Sequence, residues 1–123
     1  MKENILLDKS FNFSIRIINL YKYLSNNKKE YILSKQLLKC GTSVGANINE
    51  AQEAQSISDF ISKLSISLKE AREAKYWLEL LKATEYLTTK EADSIHKDLI
   101  ELLKLLVSII KTSKQKRIKN ENR

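Results

Sequence analysis

The sequence has no proline, two glycines, one cysteine, one histidine and one tryptophan in 123 residues. Each scarcity excludes something. Without proline and with so few glycines, the chain lacks the residues that punctuate turns and bound strands, and all-α is the fold class that remains. A single cysteine cannot close an internal disulfide, and Cys40 falls on the apolar row of a helical pattern, where a small buried thiol is its expected role. One histidine is too few for the paired Glu-x-x-His motifs with which four-helix bundles hold two metal ions. Glu70 to Glu73 has the spacing without an imidazole, and the step from Asp93 to His96 has no second copy. His96 is therefore expected on a partly exposed flank of its helix. Gly41 and Gly45 sit inside a helical pattern with no Gly-Lys-Ser/Thr ending, so no phosphate loop is predicted. No catalytic residue, cofactor or metal is expected, and an enzyme using Glu50, Glu70 and Glu73 is the last reading left. Long apolar runs are also missing, which argues against a membrane span or signal peptide and leaves the cytoplasm as the expected location.

Charge is plentiful and unevenly placed. The net charge is +7. Residues 111–123 hold Lys111, Lys114, Lys116, Arg117, Lys119 and Arg123 against Glu121, a net of +5 that leaves +2 for residues 1–110. The chain therefore divides into a bundle over residues 1–110 and a basic C-terminal helix end or tail over residues 111–123. Such a segment can neutralise phosphates, or simply keep a solvated chain end soluble.

Four helical patterns follow in order. Asp8 or Ser10 caps a first helix ending near Ser25. Its apolar residues form two rows: Phe11, Ile15 and Ile18 in one, and Phe13, Ile17, Leu20, Tyr21 and Leu24 in the other. Packing within one small bundle covers only one of them. Asn27 with Glu30 reads as a capping box for a second helix ending near Gln55. Ser56 with Asp59 opens a third helix ending near Leu87, with Phe60, Leu64, Leu68, Ala71 and Leu78 on its main stripe. Thr88-Thr89-Lys90-Glu91 is the clearest box and opens a fourth. There Ile95, Leu99, Leu102, Leu103, Leu106, Ile109 and Ile110 cover one side, widened by Ile100, Leu105 and Val107. The result is an antiparallel up-down-up-down four-helix bundle. The over-wide apolar arcs of its first and fourth helices point to oligomerisation.

The second helix carries the anomaly. Leu33, Leu37, Cys40, Val44, Ile48 and Ala51 form its apolar stripe, while Gln36, Ser43, Asn47 and Glu50 form a polar stripe beside it. Amides and hydroxyls bordering a core point to a polar network between helices. Lys63, Ile66, Glu70, Glu73, Trp77 and Leu81 make a matching mixed stripe on the third helix, so the two stripes are expected to meet. Gly41 and Gly45, one turn apart, cost helix stability relative to Ala and mark a place where another backbone comes close. Lys69, Arg72 and Tyr76 share one arc of the third helix. With Lys22, Lys28 and Lys29 they would form a basic strip containing an aromatic, suited to a phosphate backbone.

Five stretches together support a family resemblance: Lys9-Ser10-Phe11 with Leu20-Tyr21; Ser34-Lys35-Gln36-Leu37-Leu38; Thr42 to Ile48 with Glu50-Ala51; Asp59 to Leu64; and Lys69 to Glu73 with Tyr76-Trp77-Leu78. Over residues 8 to 87 the chain resembles the four-helix bundle family encoded by intervening sequences in bacterial large-subunit ribosomal RNA genes, some members of which carry a ribosomal-protein label. The resemblance implies a left-handed antiparallel bundle assembling into a homopentameric ring. It also implies kinship with the accessory protein of diversity-generating retroelements, and hence nucleic acid and a reverse transcriptase as partner types. The residues shared with the family, Gln36, Ser43, Asn47, Glu50, Glu70, Glu73 and Trp77, are read as structural. The expected function is a non-enzymatic, homo-oligomeric accessory that binds RNA or DNA through Lys22, Lys28, Lys29, Lys69, Arg72, Lys111, Lys114, Lys116, Arg117 and Lys119. The alternative is a protein-interaction scaffold with no nucleic-acid role.

Overall fold

In the computed structural model, which describes residues 2–121 with side chains from residue 5 onward, the chain forms α1 (Lys2–Asn26), α2 (Leu33–Ala51), α3 (Ile57–Ala83) and α4 (Thr89–Glu121). Arg123, counted with the basic C-terminal segment, lies outside the described residues. α1 packs on α2 and α4, and α3 packs on the same two helices, while α1 and α3 lie on a diagonal without contact. This is the up-down-up-down bundle that four amphipathic helices with short connections form.

The rows separate as their periodicity requires. Phe13, Ile17, Leu20 and Leu24 of α1 are buried with Leu37, Cys40, Val44 and Ile48 of α2. Leu64, Ala71 and Leu78 of α3 and Leu99, Leu102 and Leu106 of α4 complete the core, with Phe60 and Leu68 packed at its edge. The other row of α1 stays outside: Phe11 is 68% exposed and Ile15 44%. Leu81, placed by its spacing on the mixed stripe of α3, is instead fully buried. The apolar stripe of α3 is thus wider than the sequence indicates, with Ile61 and Ala74 also inside.

Both glycines serve the α1–α2 seam. A Cβ on Gly41 would lie 2.9 Å from Ile17 Cγ2, and one on Gly45 would lie 2.9 Å from Ser14 Oγ and 3.3 Å from the Ser10 carbonyl oxygen. Ser10 and Ser14 turn their hydroxyls onto the α1 backbone, donating to the carbonyls of Leu7 and Ser10. Small groups on both helices let the two backbones approach.

The helix ends correct four expectations, one of them the end of α2, which stops at Ala51 and not near Gln55. α1 begins at Lys2, well before Asp8. α2 begins at Leu33, because Glu30 does not reach back to cap Asn27. Its carboxylate turns forward and accepts hydrogen bonds from the backbone N–H groups of Ile32 (3.1 Å), Leu33 (3.0 Å) and Ser34 (2.7 Å). α3 stops at Ala83, four residues short of the expected end, where Glu85 takes a left-handed φ of 67°. Lys29 ends α1 in the same way at φ 56°. The backbone N–H groups of Glu30 and Leu87 then bond back to the carbonyls of Leu24 and Leu81. This geometry usually falls to glycine; α1 nevertheless ends where the sequence places it, near Ser25, while the absence of glycine hid the stop of α3. The other two caps form as read. Ser56 Oγ accepts from the Asp59 N–H at 3.0 Å. Thr88 and Glu91 cap each other reciprocally, at 2.8 Å and 3.1 Å.

Candidate interaction surfaces

The polar stripes of α2 and α3 lie side by side, but they do not form the buried network expected of them. Gln36, Glu50 and Glu73 are exposed, and Ser43, Asn47, Glu70 and Trp77 are half-buried. Asn47 donates to the carbonyl of Ser43 in its own helix, and Trp77 Nε1 donates to Glu73 Oε2 at 3.2 Å in its own. Among the described residues the only charged pair joining the stripes is Lys63 to Glu50 at 3.9 Å. The buried polar link between the helices comes from a residue outside the stripe: Ser67, fully buried, donates to the Val44 carbonyl at 2.8 Å. A polar atom is sealed inside only where it finds a partner, and a short serine aimed at a helix carbonyl meets that condition. The longer stripe residues remain at the surface.

Cys40 is buried on its predicted row, and burial, with the nearby Glu73 and Glu70 carboxylates, pushes its thiol up to about 12. It stays protonated at neutral pH and is a poor nucleophile. His96 is half-buried beside Glu79, Lys82 and Asp93. Among the described residues no cluster of three or more His, Cys, Asp or Glu side chains is arranged to hold a metal ion.

The basic strip is not assembled as expected. Lys22, Lys28 and Lys29 belong to the end of α1, whereas Lys69, Arg72 and Tyr76 stand on the outer arc of α3 at the opposite corner of the bundle. Helical spacing placed each group correctly, and the diagonal packing keeps them apart. Lys28 instead extends over the Tyr23 ring, 5.8 Å from its centroid. Tyr76 is 55% exposed and meets Trp77 edge-on at 5.2 Å.

At its C-terminal end α4 continues as helix through the basic segment to Glu121. Lys111, Lys114, Lys116 and Lys119 are exposed and Arg117 is half-buried. None of the five forms an ion pair among the described residues, in contrast to Lys9 with Glu101, Arg16 with Asp98 at 2.6 Å and Lys82 with Asp93 at 3.0 Å. Beside the α1–α2 seam runs a second surface feature, an open groove of about 600 Å³ lined by Phe11, Ser14, Ile18, Thr42, Gly45 and Ala46, among others. No described helix is long and apolar enough to cross a membrane.

The molecule is thus an antiparallel four-helix bundle with an uncovered apolar row on one side and unpaired basic side chains at one end. A family model for the 23S rRNA-intervening sequence proteins matches residues 2–108, and the chain belongs to that family. The match extends beyond the stretches quoted from the sequence to take in most of α4. A crystal structure of a protein of unknown function from the S23 ribosomal protein family of Bacteroides thetaiotaomicron is similar, with a TM-score of 0.89 and 58% identity. The similarity covers 90% of this chain and 99% of that one. No curated protein matches.

Proposed function

We propose that this protein is a non-enzymatic, cytoplasmic homo-oligomer, with a pentameric ring as the favoured assembly, that binds RNA or DNA as an accessory to a nucleic-acid process. The observation that carries the nucleic-acid reading is the end of α4. Five basic side chains stand there on an ordered helix without acidic partners, so their charge is available to phosphates and would give salt-dependent, sequence-tolerant binding. Assembly is supported by the uncovered row of Phe11, Ile15 and Ile18. Aromatic and aliphatic side chains in such a row gain about 25 cal/mol for each Å² removed from water.

A second reading, a protein-interaction scaffold, is favoured by the groove beside Phe11, which is mainly apolar and would receive a helix from another protein, a reverse transcriptase being the partner type that family kinship offers. The two readings differ in salt behaviour. Light scattering after size exclusion, repeated with added RNA or DNA at low and moderate salt, tests both. A pentamer-sized particle that shifts with nucleic acid only at low salt is the expected outcome. A monomer would remove the ring, and an oligomer indifferent to nucleic acid would leave the scaffold.

A further inference from the structure

The outer arc of α3 combines two things that the end of α4 does not, an aromatic ring open to solvent and cations beside it. Tyr76 is 55% exposed, and its ring meets the half-buried Trp77 edge-on with the centroids 5.2 Å apart. That contact orients the phenol while leaving much of it in solvent. Arg72 lies one turn before Tyr76 on the same arc and Lys69 two turns before it, so the three side chains span about 10 Å of helix. Both cations are exposed, and neither belongs to an ion pair among the described residues. Like charges a turn apart on a helix repel, so the pair costs α3 some stability unless an anion meets it. The neighbouring carboxylates do not supply that anion. Glu73 has the spacing to pair with Lys69, yet it accepts the Trp77 indole N–H at 3.2 Å instead. Glu79 pairs with Lys75 at 3.7 Å, and Glu70 belongs to the stripe that runs beside α2.

We propose that this arc is a stacking site for an unpaired base of a single-stranded nucleic acid, with the Tyr76 ring as the platform and Arg72 and Lys69 as contacts to the phosphates on one side of that base. Every base has a π-face, so a ring flanked by cations holds single strands with little sequence preference. In a duplex the bases are stacked on one another, and such a partner would meet only the two cations here. The inference rests on the nucleic-acid reading above and deepens it by naming the form of the partner. The end of α4 needs only phosphates, whereas Tyr76 needs a base. An acidic protein segment would satisfy Arg72 and Lys69 and leave the ring unused.

Trp77 is the single tryptophan of the chain and lies against the Tyr76 ring, so its fluorescence reports on this site. The experiment titrates the full-length protein at low salt with an oligoadenylate RNA, with an abasic strand of the same length and with an RNA duplex, and measures affinity by anisotropy of the labelled strand. A saturable change in Trp77 emission is expected with the oligoadenylate and not with the abasic strand. Tyr76→Leu is expected to weaken oligoadenylate binding about tenfold and to leave duplex binding unchanged, while Tyr76→Phe, which keeps the ring, retains the parental affinity. Arg72→Gln is expected to weaken binding of the single strand about fivefold and to lower its salt slope by about one ion. Oligoadenylate binding with unchanged Trp77 emission, and with Tyr76→Leu equal to the parent, would overturn the stacking site and leave the nucleic-acid reading, carried by the end of α4, intact. Equal responses to the abasic strand and the oligoadenylate would also overturn it, reducing the arc to a charge contact of the kind an acidic protein segment makes. Absence of binding to any strand at low salt would overturn both the nucleic-acid reading and this proposal.

Discussion

The two ends of the bundle handle charge in opposite ways. At the end where α1 and α3 close and α2 and α4 open, acidic side chains are built into the backbone: Glu30 caps α2 with three hydrogen bonds, and Glu91 exchanges bonds with Thr88. Basic side chains dominate the other end, where α4 runs out beside the α2–α3 connection, and they hold nothing together. Charge buried against backbone donors is structural, because removing it strands those donors. Charge standing in solvent contributes little to stability and is free to meet a partner. The difference separates residues that maintain the fold from residues available for binding.

Glu30→Ala is the strongest way to break this comparison. It leaves three backbone N–H groups unsatisfied at a position only 7% exposed, and a loss of about 3 kcal/mol is expected in chemical denaturation. The acid side of the stability curve tests the same group. Burial raises the Glu30 pKa, but the hydrogen bonds from Ser34, Leu33 and Ile32 outweigh it and hold the carboxyl below its usual range. The Glu91 pKa is lowered as well, first by its bond from the Thr88 N–H. For a depressed carboxyl the stabilisation is complete above the unfolded-state pKa of about 4.3 and disappears as pH falls through the lower folded-state value. Glu30→Gln should therefore flatten the decline in stability below about pH 4.5 in a pH-dependent thermal melt.

Single-cap substitutions come next. Thr88→Ala is expected to cost about 1 kcal/mol, and Ser56→Ala at the opposite end a similar amount, since each removes the side-chain acceptor at a helix start. Glu85→Gly sharpens the contrast in the other direction. Glu85 holds a left-handed φ that glycine adopts freely, so a gain of about 0.5–1 kcal/mol is expected in the melting curve. The smallest effect belongs to the basic end. Lys114→Gln with Lys119→Gln should change stability by less than about 0.5 kcal/mol, while lowering the salt slope of RNA binding by about two ions. A large loss of stability in this pair would show that the end of α4 is structural after all.

Much of the bundle is legible from helical periodicity. The row of Leu37, Cys40, Val44 and Ile48 is buried as its spacing requires, and the two rows of α1 part into one inside and one outside. The Thr88–Glu91 box and the Ser56–Asp59 cap form because their partners lie three residues apart, within one turn of chain. The start of α2 was misread for a related reason. Glu30 has the right residue type and position for a box with Asn27, and its direction depends on the left-handed turn at Lys29, for which no glycine gave a sign. The polar stripe was misread because periodicity reports which residues share a face, and it does not report how deeply that face is covered. Ser67, the residue that does bridge α2 and α3 in the interior, looks in sequence like any other serine on a helix.

The sequence by itself determined the four helices, the apolar rows that form the core, the tight α1–α2 seam at Gly41 and Gly45, and the concentration of positive charge after Ile110. All of these are set within one or two helical turns. Only the tertiary structure decided which groups stand together. The diagonal placement of α1 and α3 divided the basic strip, and the packing of α3 on α2 brought the buried Ser67 hydroxyl to the Val44 carbonyl. Helical spacing fixes a direction around one axis, and neighbours across the bundle depend on how four such axes are arranged in space.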